Sequence, residues 1–132
     1  MLFLCVHNSA RSQIAEGFAR AMAPKDAEIW SAGTEPRGVH PAAIEAMAEV
    51  GIDIRSQRSK HLNEVPWREA DTVVTLCGEA DEICPAVASE VRRMHWPLPD
   101  PAAAPKQDQR AAFRACRDEI RWRAACLWPR GE

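Results

Sequence analysis

The sequence lacks the features that mark several classes of protein. It has no tyrosine and only three phenylalanines, and its five tryptophans suit core and helix packing. A stacking platform for nucleic acid would need basic residues interleaved with aromatic ones on one face. The formal net charge of −2 provides no overall basic field, and no apolar run approaches the roughly 20 residues that span a bilayer. We therefore expect neither nucleic acid nor a membrane as a partner.

Export signals and metal-binding clusters are also missing. The apolar start, residues 1–5, is short and lacks the basic residues and cleavage site of a signal peptide, so we expect a cytoplasmic protein. The four histidines do not cluster with acidic residues, so we expect no metal site and no cofactor. In a reducing cytosol, the five cysteines are expected to be catalytic, metal-binding or inert rather than paired in structural disulfides.

The 132 residues suit one domain, 1–132, of the α/β class. Apolar and β-branched stretches predict four strands, at 1–5, 28–32, 72–76 and 93–96. Four helices are predicted, at 10–22, from His40-Pro41 to a cap at Gly51, at 79–91 and at 107–127. One or two helical turns are predicted at 64–69, and connections at 52–62 and 97–105. This alternation implies a four-stranded parallel sheet with helices on both faces. Ligands bind such sheets at the carboxyl ends of the strands, so the turns after residues 4, 76 and 96 are expected to share one edge.

The turn after the first strand carries the segment Cys5-Val6-His7-Asn8-Ser9-Ala10-Arg11-Ser12, called the anion loop below. A loop that leads into a helix directs several backbone N–H groups at one point, and the helix N-terminus adds positive potential. Both features stabilise a thiolate and bind an oxyanion. Arg11 can hold two oxygens with its planar guanidinium, and Ser12 can donate a hydrogen bond to the Cys5 sulfur. Asn8 can hold the loop in its turn. Cys5 is therefore a candidate nucleophile, and residues 6–12 are candidate substrate-binding residues.

A Cys-x5-Arg match arises often by chance, and the alternative is a buried strand cysteine beside a surface arginine. The anion loop together with Gln13 and Ala15-Glu16-Gly17 nevertheless resembles the low-molecular-weight protein tyrosine phosphatase superfamily, and within it the thioredoxin-coupled arsenate reductases. Similar segments run along nearly the whole chain: Ser31-Ala32-Gly33, 41–46, 51–54, 73–77, Cys84-Pro85, His95-Trp96, Asp100-Pro101-Ala102 and 117–120. The resemblance implies a phosphatase-like fold.

Two further cysteines follow the third predicted strand, Cys77 at its end and Cys84 seven residues later. Their spacing, without a nearby histidine or a second cysteine pair, is poor for zinc, which leaves an inert pair or a relay of thiols. Seven residues of helix rise about 10.5 Å, whereas a disulfide needs its two Cα atoms within about 7 Å. We therefore expect residues 78–90 to unwind partly on oxidation.

The resemblance also implies a reaction cycle. Cys5 attacks arsenate and displaces water, and Cys77 then attacks the Cys5 sulfur, which releases arsenite. Cys84 attacks Cys77, and thioredoxin reduces the Cys77–Cys84 disulfide. Phosphate and sulfate are expected as competing anions. Asp100, between two prolines, matches the family's general acid, although Asp-Pro pairs are also ordinary turn formers.

Some thioredoxin-coupled relatives bind a potassium ion near this loop. Asn8, Glu16 and Ser31 match three of its ligands, but Arg58 and Lys60 stand where a threonine and an aspartate would. A cationic side chain cannot ligate potassium, so we predict that Lys60 places its ammonium near Glu16 and that activity does not depend on potassium.

Two other functions stay open at this point. A phosphatase acting on phosphotyrosine or small phosphate esters is disfavoured by Ala102, because tyrosine phosphatases of this superfamily usually carry an aromatic residue after Asp-Pro. A non-catalytic anion or arsenite sensor would leave Asp100 unexplained. Cys116 and Cys126, ten residues apart in the last helix, are expected to pack as small hydrophobic residues without a role.

Overall fold

A computed structural model describes residues 1–76 and 92–128 of the chain. Four strands form its sheet: β1 (Leu2–Leu4), β2 (Trp30–Ala32), β3 (Thr72–Thr75) and β4 (Arg92–His95). They are parallel and lie in the order β2-β1-β3-β4. The predicted four-stranded parallel α/β architecture is confirmed. Because β1 is an inner strand, the anion loop that follows it begins between the ends of β2 and β3.

Three helices are described: α1 (Arg11–Met22), α2 (Pro41–Ala48) and α3 (Gln109–Leu127). The predicted cap at Gly51 is confirmed by its φ of +80° and by the bond from Ile52 N–H to Met47 O at 3.0 Å. The predicted turns at 64–69 are 3-10 turns, Leu62–Glu64 and Trp67–Glu69. The last helix starts slightly later than predicted because Lys106–Asp108 forms a 3-10 turn. The predicted helix at 79–91 lies outside the described residues.

The sheet separates two apolar clusters, since successive strand side chains point to opposite faces. On one face, Phe3 and Val74 pack with Ile14, Phe18 and Phe113 of α1 and α3. On the other, Leu2, Leu4 and Val73 pack with Leu62 and Val65. Both faces of β1 are thus buried, which fixes where the anion loop emerges. Across the two described ranges, no helix combines the length and apolarity that crossing a membrane requires.

Candidate active site

Cys5 lies at the carboxyl end of β1, one residue beyond Leu4, and only 3% of its surface is exposed. Its backbone N–H donates to Ala32 O at 3.3 Å, which continues the pairing with β2. The Cys5 Sγ atom is 2.9 Å from the Ser12 Oγ atom in the first turn of α1. The predicted contact between these two side chains is confirmed. The Ser12 hydroxyl is thus within hydrogen-bonding distance of the candidate nucleophile.

The carbonyl groups of residues 6 to 10 all accept hydrogen bonds from donors that lie outside the anion loop. Three of them accept from the backbone of a later segment: Glu35 N–H to Val6 O at 2.8 Å, Arg37 N–H to His7 O at 3.1 Å and His40 N–H to Ser9 O at 2.9 Å. Asn8 O accepts from Gln13 Nε2, and Ala10 O accepts from Ile14 N–H. By contrast, the backbone N–H groups of residues 6 to 12 donate to no acceptor in the described parts of the chain. These N–H groups are therefore available to an oxyanion.

Asn8 ties the anion loop together from inside the protein, where it is fully buried. Its φ of 46° lies in the left-handed region, which asparagine tolerates better than most residues. Its amide nitrogen donates to Ser12 Oγ at 2.7 Å and to Ser31 Oγ at 3.0 Å. Its amide oxygen accepts from Gln13 Nε2 at 2.9 Å and from Lys60 N–H at 2.8 Å. The same residue that holds the loop therefore also orients the hydroxyl that faces Cys5.

Arg11 is the first residue of α1, and its guanidinium reaches the loop after β4. Nη1 donates to Leu98 O at 3.0 Å, and Nη2 lies 3.8 Å from the Asp100 carboxylate. Its Nε atom is buried and has no hydrogen-bond partner within residues 1–76 and 92–128. An unpaired buried donor of this kind is costly, and an oxyanion beside the loop is a group that would satisfy it.

Asp100 caps the 3-10 turn Pro101–Ala103 by accepting from Ala102 N–H at 3.0 Å. Its other oxygen faces Arg11, and its side chain is 33% exposed. Asp100 therefore forms a turn with one carboxylate oxygen and faces Arg11 with the other, so both interpretations of this residue hold. Cys5, Arg11 and Asp100 line one cavity of about 480 Å³ together with His7 and Ser9. The expectation that the turns after residues 4 and 96 share one edge is confirmed.

A cluster of charged side chains surrounds the buried carboxylate of Glu16, next to the anion loop. The Glu16 carboxylate accepts from Ser31 Oγ and from Arg20 Nε, and it lies 3.7 Å from the Lys60 ammonium. Lys60 also donates to Arg58 O at 2.7 Å. Burial lowers the pKa of Lys60, and the negative charge of Glu16 opposes that shift. The predicted placement of the Lys60 ammonium beside Glu16 is confirmed.

A larger cavity of about 790 Å³ adjoins this cluster and includes Glu16, Arg20 and Lys60 in its lining. The charged groups there are already paired with one another, whereas the Cys5 cavity contains the unpaired Arg11 Nε. The smaller cavity is therefore the candidate active site. Among the described residues, no group of three His, Cys, Asp or Glu side chains is arranged to hold a metal ion.

The remaining cysteines differ in their surroundings. Cys116 is buried as predicted, and burial raises the pKa of its thiol to about 12. Cys126 is exposed, so the prediction that it packs as a small hydrophobic residue is wrong. Cys77 and Cys84 lie outside the described residues, and their roles stay predictions. Sequence reasoning missed the backbone contacts of residues 35–40, which carry no side-chain signature.

The fold and the site define an α/β protein that carries a buried thiol in a strand-to-helix loop whose backbone N–H groups have no acceptor among the described residues. The family profile described as low molecular weight phosphotyrosine protein phosphatase matches residues 1–129. The chain belongs to this family.

Individual relatives are arsenate reductases. The chain is 47% identical over 120 residues to the arsenate reductase of Halalkalibacterium halodurans, covering 89% of this chain and 86% of the relative. A solved structure described as an arsenate reductase in the phosphate binding state is 35% identical, with a TM-score of 0.82 and coverage of 96% of this chain and 93% of that one. The Corynebacterium glutamicum thioredoxin-dependent arsenate reductase is 30% identical, with a TM-score of 0.79 and coverage of 96% and 58%.

Proposed function

We propose that the chain is a cytoplasmic, thioredoxin-dependent arsenate reductase whose residues 1–132 act as one domain. The observation that carries the proposal is the anion loop, where Cys5 Sγ lies 2.9 Å from Ser12 Oγ beside seven backbone N–H groups with no acceptor in the described residues. The similarity to proteins described as arsenate reductases favours reduction of arsenate over hydrolysis of phosphate esters.

In the first step, the N–H groups of the anion loop and the Arg11 guanidinium bind the oxygens of arsenate. The Cys5 thiolate attacks arsenic, and a sulfur–arsenic bond forms while an arsenic–oxygen bond breaks. Asp100 donates the proton with which that oxygen leaves as water. The Asp100 side chain lies 3.8 Å from Arg11 and lines the same cavity as Cys5. Phosphate and sulfate compete because they present the same tetrahedral set of oxygens.

The second step supplies two electrons. The Cys77 thiolate attacks the Cys5 sulfur, so a disulfide forms and the electron pair of the sulfur–arsenic bond moves to arsenic, which leaves as arsenite. Cys84 then attacks Cys77 and releases the Cys5 thiolate. The dithiol of thioredoxin reduces the Cys77–Cys84 disulfide. These three thiols provide what a phosphatase does not need, because hydrolysis consumes no electrons.

The proposal is tested by arsenate-dependent oxidation of NADPH in the presence of thioredoxin and thioredoxin reductase. The parent chain should turn over many times. Cys5→Ser should abolish turnover, and Cys77→Ser or Cys84→Ser should block multiple turnover with thioredoxin. Full multiple turnover by Cys84→Ser would show that the relay is wrong, and no arsenate-dependent oxidation by the parent would overturn the proposed activity.

The family description favours one second candidate, a phosphatase acting on phosphotyrosine or small phosphate esters. The same Cys5 loop and Asp100 suit that reaction, with an ester oxygen as the leaving group. Ala102 after Asp100-Pro101 offers no aromatic wall to a phosphotyrosine ring. Hydrolysis of p-nitrophenyl phosphate that far exceeds arsenate turnover would favour the phosphatase.

A further inference from the structure

Residues 33–40 run beside the anion loop and contact it through backbone atoms. Glu35, Arg37 and His40 donate their N–H groups to three carbonyl groups of the loop at 2.8, 3.1 and 2.9 Å. Their side chains play no part in these bonds. Gly33 and residues 35–40 are called the loop support below.

Gly33 is the point of closest approach between the loop support and the anion loop. A Cβ atom on this glycine would lie 2.5 Å from Val6 O, 2.7 Å from Cys5 O and 2.9 Å from Asn8 N, all of them backbone atoms. Gly33 cannot retreat, because its N–H donates to Lys60 O and its carbonyl accepts from Leu62 N–H, each at 2.9 Å. Any side chain at this position must therefore displace the anion loop.

The direction of the loop's carbonyl groups decides whether it can bind an anion. A trans peptide group is planar, with its N–H and C=O pointing in opposite directions. Carbonyl groups held outward by the loop support leave N–H groups free to face the centre, whereas a carbonyl turned inward would repel an oxyanion. Donors fixed before the anion arrives need no reorganisation when it binds.

We propose that Gly33 and the backbone of residues 35–40 are positioning elements that set the anion-binding conformation of the Cys5 loop. The inference rests on the proposed role of that loop in binding arsenate. Arg37 and His40 also line the Cys5 cavity, but the proposed role belongs to Gly33 and to the backbone of the loop support. Its effect is on the affinity of the site for tetrahedral anions and, through that, on the KM for arsenate.

The test compares two glycine-to-alanine variants. A Cβ on Gly33 meets anion-loop backbone, whereas a Cβ on Gly17 meets side chains of the core, at 2.8 Å from Ile54 and 2.9 Å from Met47. Phosphate binding is measured by isothermal titration calorimetry, and stability by urea unfolding. Gly33→Ala should weaken phosphate binding at least tenfold and raise the KM for arsenate, while Gly17→Ala loses stability but binds phosphate within twofold of the parent. Equal phosphate affinity in the two variants would overturn the inference.

A second pair keeps the test decisive if Gly33→Ala does not fold. Glu35→Ala and Glu35→Pro both remove the exposed carboxylate, but only proline also removes the N–H that bonds to Val6 O. Glu35→Pro should bind phosphate at least fivefold more weakly than Glu35→Ala. Equal affinities of these two variants would contradict the role of the loop support. Failure of the parent itself to bind phosphate and to reduce arsenate would instead refute the proposed function.

Discussion

Replacing Asn8 measures how much the anion loop depends on its internal hydrogen bonds. Asn8→Ala removes four of them, two donated to serine hydroxyls and two accepted from Gln13 and Lys60. At about 1 kcal/mol of net stabilisation each, they sum to about 4 kcal/mol. An alanine held at a φ of 46° adds about 1–2 kcal/mol of strain. We expect Asn8→Ala to lose about 5 kcal/mol, a large part of the roughly 5–15 kcal/mol by which a domain is stable.

Two further variants separate the contributions. Asn8→Gly removes the same four hydrogen bonds without placing a Cβ atom at positive φ, so it should lose about 1 kcal/mol less than Asn8→Ala. The chain's other asparagine, Asn63, is exposed, and Asn63→Ala should change the free energy of unfolding by no more than about 0.5 kcal/mol. The assay is urea unfolding followed by tryptophan fluorescence. A loss below about 1 kcal/mol in Asn8→Ala would refute the claim that these bonds hold the loop.

Three other predictions concern charge and thiol reactivity. Hydrogen bonds from Arg114 and Arg117 lower the pKa of Glu49 from 4.5 to about 2, so this carboxylate stabilises the fold above pH 4.5 and loses that effect as the pH falls towards 2. Glu49→Gln should therefore flatten the fall in unfolding free energy over that interval, as measured by urea unfolding at stepped pH. Because the Lys60 ammonium lies 3.7 Å from Glu16, activity should be the same in potassium chloride and sodium chloride at equal ionic strength; a severalfold increase in potassium would contradict this. Iodoacetamide at neutral pH should alkylate exposed Cys126 and leave Cys116 unmodified, because burial raises the pKa of Cys116 to about 12; mass spectrometry distinguishes the two.

The contiguous parts of the site could be predicted from the sequence. The anion loop, its Ser12 hydroxyl and the helix that follows occupy one uninterrupted segment, and the apolar strand before it is short and distinct. The position of the Lys60 ammonium beside Glu16 could also be predicted, because the resemblance to the family matches residue types position by position. Asp100 was located by its turn, and the parallel sheet brought that turn to the edge that carries Cys5.

Other features of the site could not be predicted from the sequence. The loop support acts through backbone N–H groups, which all residues except proline possess, so the stretch 35–40 resembles an ordinary polar turn. The expected packing of Cys126 is wrong because of the helical period. Ten residues at about 100° each fall about 80° short of three full turns, so the side chains of Cys116 and Cys126 point about 80° apart. That rotation carries Cys126 out of the buried stripe of α3 that contains Phe113, Cys116 and Ile120.

The order of the site residues along the chain also determines the order in which the ribosome synthesises them. Within the described residues, the hydrogen-bond partners of the anion loop other than those of the Arg11 side chain, from Gln13 to Lys60, all precede residue 61. The partners of Arg11 across the cavity, Leu98 and Asp100, come much later. At about 5–20 residues per second, a ribosome needs roughly 2–8 s to synthesise the intervening stretch. A nascent chain therefore contains the hydrogen-bonding residues on the thiol side of the site before it contains Asp100.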